Sequence, residues 1–230
     1  MRTVALDLDG TLVDTSSAIV DAFTAVFASM QLPCPDPVAI RTTIGLPLDR
    51  SFSTLMKLPL DHKLVTWAAR CYVPLFRERA LPRARELVFP GVAEGLAALS
   101  AHGFTLAIAT SKYRASADAL LCAAGLRDRM SLIVGSDQVV RPKPHPETLR
   151  HVMRALAVAA SQMVMVGDTT HDLLMARAAG VRSIAVTYGV HSRAALTSAE
   201  PTGIAESFDD VVYQLLEDRL PTQMDPTLPA

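Results

Sequence analysis

Acidic residues stand at the ends of two predicted strands of this chain. Asp7 and Asp9 lie at the end of the first apolar strand, Thr3 to Leu8, while Asp168 and Asp172 follow a later one. Because the carboxyl ends of parallel strands form one edge of a sheet, we expect these acids to lie close together. Carboxylates, together with water and substrate phosphate, are the ligands that Mg²⁺ prefers. The spacing therefore predicts a magnesium site.

Residues suited to phosphate follow two other predicted strands. Thr110 and Ser111 come directly after Phe104 to Ala109, and Lys143 lies in the proline-flanked segment RPKPHPE after the third strand. Hydroxyl, amide and ammonium groups can position a phosphoryl group and neutralise its charge. A carboxylate can attack phosphorus to form an acyl phosphate, and an acid two residues away can transfer the protons. The whole set predicts phosphoryl-transfer chemistry.

The elements that must position these residues alternate between strands and helices. After residue 86 we predict helices over 91–101, 115–124, 146–157 and 171–179, and strands over 104–109, 132–134, 163–166 and 183–186. This alternation predicts an α/β fold, a Rossmann-like parallel sheet covered by helices on both faces. The block 15–85 has helical patterning, with helices predicted from Ser16 or Ser17 to Met30 and from Asp61 to Glu78. We therefore predict a core of residues 1–14 and 86–220, an inserted helical cap over 15–85 and a disordered tail over 221–230.

The motifs resemble those of the haloacid dehalogenase superfamily, in the family's order. The matching segments are DLDGTLVDT from Asp7, the strand followed by Thr110, Lys143 in RPKPHPE, and GDTTHD from Gly167. The resemblance covers residues 1 to about 190, and the position of the cap is similar to that in the phosphoglycolate phosphatase-like branch. It implies a Mg²⁺-dependent phosphatase in which the roles are distributed as follows. Asp7 is the nucleophile and a metal ligand, Asp9 is the general acid/base with its carbonyl on the metal, Thr110 and Ser111 hold phosphate, Lys143 neutralises charge, Asp168 binds the metal, and Asp172 completes the acidic site.

Substrate specificity is expected to come from the cap, because a cap can close over the substrate and exclude water. The segment Ile44 to Leu48, with Arg41 and Arg50 nearby, resembles the substrate-facing loop of phosphoglycolate phosphatase relatives. We predict Gly45 and Arg50 as substrate-binding residues, because an arginine could pair with a carboxylate or a second phosphate. Both arginines are equally compatible with ordinary surface charge.

Composition limits the possible partners of this protein. The chain has 230 residues, a formal net charge of -1 and 50% hydrophobic residues. No overall positive field attracts nucleic acid or an anionic membrane, and no apolar run is long enough to span a bilayer. Three separated cysteines fit free thiols in a reducing compartment. We expect a soluble cytoplasmic enzyme whose partner is a small phosphorylated metabolite, while the oligomeric state stays open.

Several alternatives remain at the level of the substrate and the activity. Phosphoglycolate is the leading candidate, and pyrophosphate, nucleotides and sugar phosphates are the others. The acid at position 9 argues against a dehalogenase, and the stretch 15–23 lacks the histidine expected of a β-phosphoglucomutase relative. Lys57 or Lys63 could in principle form the Schiff base of a phosphonoacetaldehyde hydrolase. A non-catalytic phosphate-binding protein and a receiver domain are the alternatives of a different class.

Overall fold

The computed structural model describes residues 2–217. At its centre lies a parallel six-stranded sheet in the order β3-β2-β1-β4-β5-β6. The strands are β1 (Arg2–Leu6), β2 (Phe104–Ala109), β3 (Leu132–Val134), β4 (Met163–Gly167), β5 (Arg182–Val186) and β6 (Gly203–Ala205). The predicted α/β fold with a parallel sheet is thereby confirmed.

Helices connect these strands and cover both faces of the sheet. Between β1 and β2 come α1 (Ser16–Ser29), α2 (Pro37–Arg41), α3 (Leu48–Met56), α4 (Lys63–Ala80) and α5 (Val92–Ala101). The later helices are α6 (Arg114–Ala124), α7 (Glu147–Leu156), α8 (Thr170–Ala179), α9 (Arg193–Ser198) and α10 (Phe208–Leu216). Val4 and Leu6 face one apolar core and Ala5 faces another, and all three are fully buried. Burial on both faces explains why β1 is a continuous apolar run in the sequence.

Helices α1 to α4 form a helical insertion between β1 and α5. Aromatic rings from three of these helices pack together: the ring of Phe23 lies 4.4 Å from that of Phe52 and 4.9 Å from that of Tyr72. Phe76 stacks on Tyr72 at 5.7 Å. These rings belong to the same apolar core as Val4 and Leu6 of the sheet, so the insertion packs directly on the sheet side of the fold. We call residues 15–85 the cap; these bounds stay a prediction, and the predicted tail 221–230 lies outside the described residues.

The structure differs from the predicted elements mainly at turns and in short segments. Strand β1 ends at Leu6 rather than Leu8, because the chain turns at once and Gly10 adopts a φ of 84°. Helices α2, α3, α9 and α10 and strand β6 were not predicted. No helix within residues 2–217 is long and apolar enough to cross a membrane.

Candidate active site

The order of the strands brings the predicted site residues to one edge of the sheet. Leu6, the last residue of β1, is in register with Ile108 of β2 on one side and Val166 of β4 on the other. The next residue, Asp7, continues the ladder by donating its backbone N–H to the Val166 carbonyl at 2.9 Å. Loops after the three central strands therefore start side by side. This edge is where ligands bind in open α/β sheets.

Three buried carboxylates meet at this edge. Asp7, Asp168 and Asp172 are 3%, 0% and 0% exposed, and one carboxylate oxygen of each lies within 4.8 Å of the others. Like charges packed this closely in a buried site repel one another unless cations balance them. The donor set, all carboxylate oxygen, fits a hard divalent cation such as Mg²⁺.

Local hydrogen bonds fix the orientation of two of these carboxylates. Asp168 accepts hydrogen bonds from the Thr11 hydroxyl at 2.9 Å and from the Val190 backbone N–H at 2.8 Å. Asp172, in the first turn of α8, accepts from both the N–H and the hydroxyl of Thr169, at 3.1 and 2.7 Å. This is a capping box, in which the acid at the third helical position satisfies the start of the helix. The GDTTHD segment thus places Asp172 by its own local structure, whereas Asp168 is held by the loops that carry Thr11 and Val190.

Lys143 is the cation that balances this cluster. Its side chain is 1% exposed, and its Nζ lies 2.9 Å from Oδ1 of Asp7 and 2.5 Å from Oδ1 of Asp172. The contact with Asp172 is a directed hydrogen bond, whereas Oδ1 of Asp7 has no directed hydrogen bond among residues 2–217. A buried carboxylate oxygen that is left without such a bond is suited to an incoming ligand. Asp7 is also the acid of these three that lines a solvent-open cavity.

Burial and mutual repulsion perturb the pKa values of the cluster. Burial raises the pKa of Asp7 from 3.8 to about 6, with Lys143 opposing the shift and Asp172 adding to it. The pKa of Asp168 is raised by burial and by the charges of Asp7 and Asp172. For Lys143, burial lowers the pKa, but the neighbouring carboxylates of Asp172 and Asp7 outweigh burial and raise it. Strongly perturbed groups concentrated at one strand edge are typical of a functional site.

Asp9 lies outside the group of three carboxylates, toward the cap. Its Oδ1 accepts a hydrogen bond from the Thr15 hydroxyl at 2.6 Å, and its Oδ2 pairs with Nζ of Lys112 at 3.0 Å. The Lys112 ammonium also lies 3.9 Å from the ring centroid of Phe76, a cation–π contact with the cap. The Lys112 side chain is only 9% exposed, so this residue belongs to the site although its position in the sequence did not indicate it.

The predicted phosphate-binding residues lie beside the acids and touch the cap. Thr110 and Ser111 are buried and line a solvent-open cavity that Asp7 also lines. Ser111 donates a hydrogen bond of 2.6 Å to the carbonyl of Gly45, which lines the same cavity with a φ of 94°. A Cβ at position 45 would lie 2.8 Å from Thr169, so a glycine is needed where the cap loop meets the core.

Arg50 does not line this cavity and is exposed. Helix α3 turns Leu48 and Ser51, three residues apart, toward the cavity. A residue two positions after Leu48 lies on the opposite side of a helix, because successive residues rotate by about 100°. The structure thus places Arg50 outside this cavity, and its role in substrate binding stays a prediction.

Comparison with known proteins decides the family. The model of the haloacid dehalogenase-like hydrolases matches residues 4–186. The chain belongs to this family. It is 52% identical to a protein named "Probable phosphatase IndB" from Dickeya dadantii, over 91% of each chain. It is 32% identical to the phosphoglycolate phosphatase of Escherichia coli K12, over 96% of this chain and 92% of that one.

Solved structures agree with this assignment. A haloacid dehalogenase-like hydrolase from Streptococcus pneumoniae superposes with a TM-score of 0.80 at 29% identity, over 94% of this chain and 98% of that one. The predicted family and the predicted class of enzyme, a phosphatase of the haloacid dehalogenase-like hydrolases, are confirmed. The motif resemblance found in the sequence thus extends to the whole fold.

Proposed function

We propose that this phosphatase hydrolyses a small phosphorylated metabolite with the help of Mg²⁺, through a phospho-aspartate on Asp7. One observation carries the proposal: three buried carboxylates and a buried lysine meet at the carboxyl edge of the sheet, directly beneath an open cavity. Such a cluster has little use in a structural role, because burying like charges destabilises the fold.

The residues present fit a magnesium ion. We propose that Asp7 and Asp168 supply carboxylate ligands, that Asp9 contributes its backbone carbonyl and that Asp172 completes the site. Bound there, Mg²⁺ would neutralise the negative charge of the phosphoryl oxygens during transfer. The side chain of Asp9, held by Thr15 and Lys112, stays free of the ion for proton transfer.

The first half of the reaction transfers the phosphoryl group to the enzyme. Thr110 and Ser111 hold the phosphate, and a carboxylate oxygen of Asp7 attacks phosphorus as the bond to the leaving oxygen breaks. Asp9 gives its proton to that leaving oxygen, and the alcohol departs. Lys143, within 2.9 Å of Asp7, offsets the negative charge that gathers at the nucleophile.

The second half restores the enzyme. A water molecule attacks the phosphorus of the acyl phosphate, Asp9 takes the proton that the water loses, and the bond to Asp7 breaks. Inorganic phosphate leaves, and Asp7 is a carboxylate again. The same residue therefore acts first as an acid and then as a base, as proton balance over the cycle requires.

The cap would exclude other water during this cycle. The segment after Thr110 already holds it in two places: the Ser111 hydroxyl donates to Gly45, and the Tyr113 hydroxyl donates to Asp49 at 3.2 Å. We propose that residues 15–85 open and close over the core of residues 1–14 and 86–220. Closure would bring the apolar face of the cap over the reacting phosphate.

The identity of the substrate is a finer question. The name of the Escherichia coli relative supports phosphoglycolate, the leading candidate from the sequence, at 32% identity. Pyrophosphate, nucleotides and sugar phosphates remain the alternative substrates. We also propose that the enzyme acts in the cytoplasm. The second class of function is a phosphate-binding protein without turnover, which the complete acidic set disfavours.

The test is phosphate release from a panel of phosphomonoesters and pyrophosphate, with Mg²⁺ or with EDTA. Asp7→Asn is compared with Asp21→Asn, which changes an exposed aspartate of α1 in the same way. We expect metal-dependent release that is lost at least about 1,000-fold in Asp7→Asn and kept in Asp21→Asn. Acid-quenched enzyme given labelled substrate should carry label, and Asp7→Asn should not. Folded enzyme that releases no phosphate would favour the binding protein.

A further inference from the structure

The cap side of the cavity is built mainly of apolar and aromatic side chains. Its walls include Ile19, Phe23, Ile44, Leu46, Tyr72 and Phe76. Phe23, Tyr72 and Phe76 belong to the aromatic cluster of the cap, so their rings are held in place by neighbouring rings. A fixed aromatic wall favours a flat apolar group, because ring-on-ring contact adds to the burial of apolar surface.

Cations are scarce in this cavity. Lys112 is the one lysine or arginine among the described residues that line it, and its ammonium already pairs with Asp9 at 3.0 Å. Arg41 and Arg50, the arginines expected to face the substrate, are exposed and outside the lining. A carboxylate entering here would meet a cation that is already paired with Asp9.

Three hydroxyl groups of the lining donate to protein oxygens instead. Thr43 donates to the carbonyl of Ile40 at 2.8 Å, and Ser51 donates to that of Thr43 at 3.2 Å. The Tyr113 hydroxyl likewise donates to a cap oxygen, that of the Asp49 side chain. A carboxylate only accepts hydrogen bonds, so these hydroxyls offer it oxygen atoms rather than protons. Burying an unpaired carboxylate is strongly unfavourable.

We propose that this cavity selects phosphomonoesters whose leaving alcohol is uncharged and carries a flat hydrophobic or aromatic group, and that it discriminates against phosphoglycolate. The inference rests on the proposed function, since it assumes that the phosphoryl group lies over Asp7. It narrows the substrate to a class that the names of the relatives do not state. The aromatic wall binds the flat group, and the lack of a free cation excludes the carboxylate.

Three substrates test this selectivity on the wild-type enzyme with Mg²⁺: phosphoglycolate, benzyl phosphate and 4-carboxybenzyl phosphate. The last two differ only in a carboxylate at the far end of the ring. We expect kcat/KM for benzyl phosphate to exceed that for each carboxylated compound at least about tenfold. Equal values for the two benzyl compounds, or a preference for phosphoglycolate, would overturn the proposal.

A variant checks the electrostatic cause independently. Leu46 lines the cavity and is partly exposed, so Leu46→Arg places a cation there, and Leu46→Gln is the uncharged control. We expect Leu46→Arg to raise the ratio of kcat/KM for 4-carboxybenzyl over benzyl phosphate at least about fivefold, and Leu46→Gln to leave it unchanged. An unchanged ratio in folded Leu46→Arg counts against the proposal. If the proposed function itself is wrong, the result is a different one: no compound gives phosphate release that depends on both Mg²⁺ and Asp7.

Discussion

Replacing Lys143 with methionine tests whether this lysine balances the negative charge of the three buried carboxylates. The side chain is 1% exposed and lies within 2.9 Å of both Asp7 and Asp172. Methionine keeps most of the volume but leaves three buried carboxylates without their cation. Removing one partner of a buried ion pair costs about 3–5 kcal/mol. At about 2–4 °C per kcal/mol for a chain of this size, the melting temperature should fall by about 6–20 °C.

Thermal unfolding in EDTA is the assay, and Arg177→Met is the matched control. Arg177 pairs with Glu200 at 2.9 Å, but the two side chains are 56% and 76% exposed. Exposed pairs contribute at most about 1 kcal/mol, so this control should shift the melting temperature by no more than about 4 °C.

Magnesium supplies the second arm of the experiment. A divalent cation bound to the carboxylates would take over part of the charge balance, and binding to the folded state raises its stability. We therefore expect millimolar Mg²⁺ to recover more of the melting temperature in Lys143→Met than it adds to the wild type. If Lys143→Met in EDTA melts within the range of Arg177→Met, the argument that Lys143 balances buried charge is wrong.

Three further perturbations follow from the same geometry. Without the Lys112 ammonium, the Asp9 carboxylate loses its ion pair and is no longer held in place for proton transfer. Lys112→Met should therefore lower kcat about tenfold at saturating Mg²⁺, and an unchanged kcat would contradict the positioning role of Lys112. Gly10→Ala should weaken the Mg²⁺ dependence of activity at least about tenfold, since the residue has a φ of 84° and its Cβ would displace Asp168; wild-type metal titration would contradict this. Burial raises the pKa of Asp7 to about 6 in the folded state, above its ordinary 3.8, so without metal (in EDTA) Asp7 stays protonated to a higher pH in the folded state than in the unfolded state. The free energy of unfolding in urea should then fall as pH rises between these values, and Asp7→Asn should flatten that fall.

Much of the core could be predicted because its strands are buried on both faces. Strand β2 spans Phe104–Ala109 and β3 spans Leu132–Val134, as predicted. A short continuous apolar run bounded by polar residues is typical of a strand that is buried on both faces. Helix α2 was missed although Asp36 before Pro37 is a recognisable start: Asp36 accepts from the Val38 N–H, and proline suits the first turn. Pro33 and Pro35 come just before this start, and closely spaced prolines are typical of a break between helices.

The buried strands also explain which site residues could be predicted from the sequence. Asp7, Thr110 and Asp168 each follow a strand directly, so the sheet alone brings them together. Lys112 and Arg50 depend on how the cap meets the core, which local patterns do not specify. Lys112 stands two residues after Thr110, and that proximity was the available signal for its role. The assignment of chemical roles to these residues stays a prediction until the variants are measured.

The position of Asp7 at the end of β1 predicts that some parts of the protein open locally much more easily than others. Asp7 continues the strand that is paired on both sides, with β2 and β4, whereas the aromatic wall belongs to helices inserted outside the sheet. Backbone amides of Val4 to Leu6 should exchange with deuterium only through global unfolding, and those of α3 should exchange through smaller openings. The chemistry would then sit on the slowest-exchanging part of the chain and substrate choice on a faster one, so changes that remodel recognition can leave the reacting groups undisturbed.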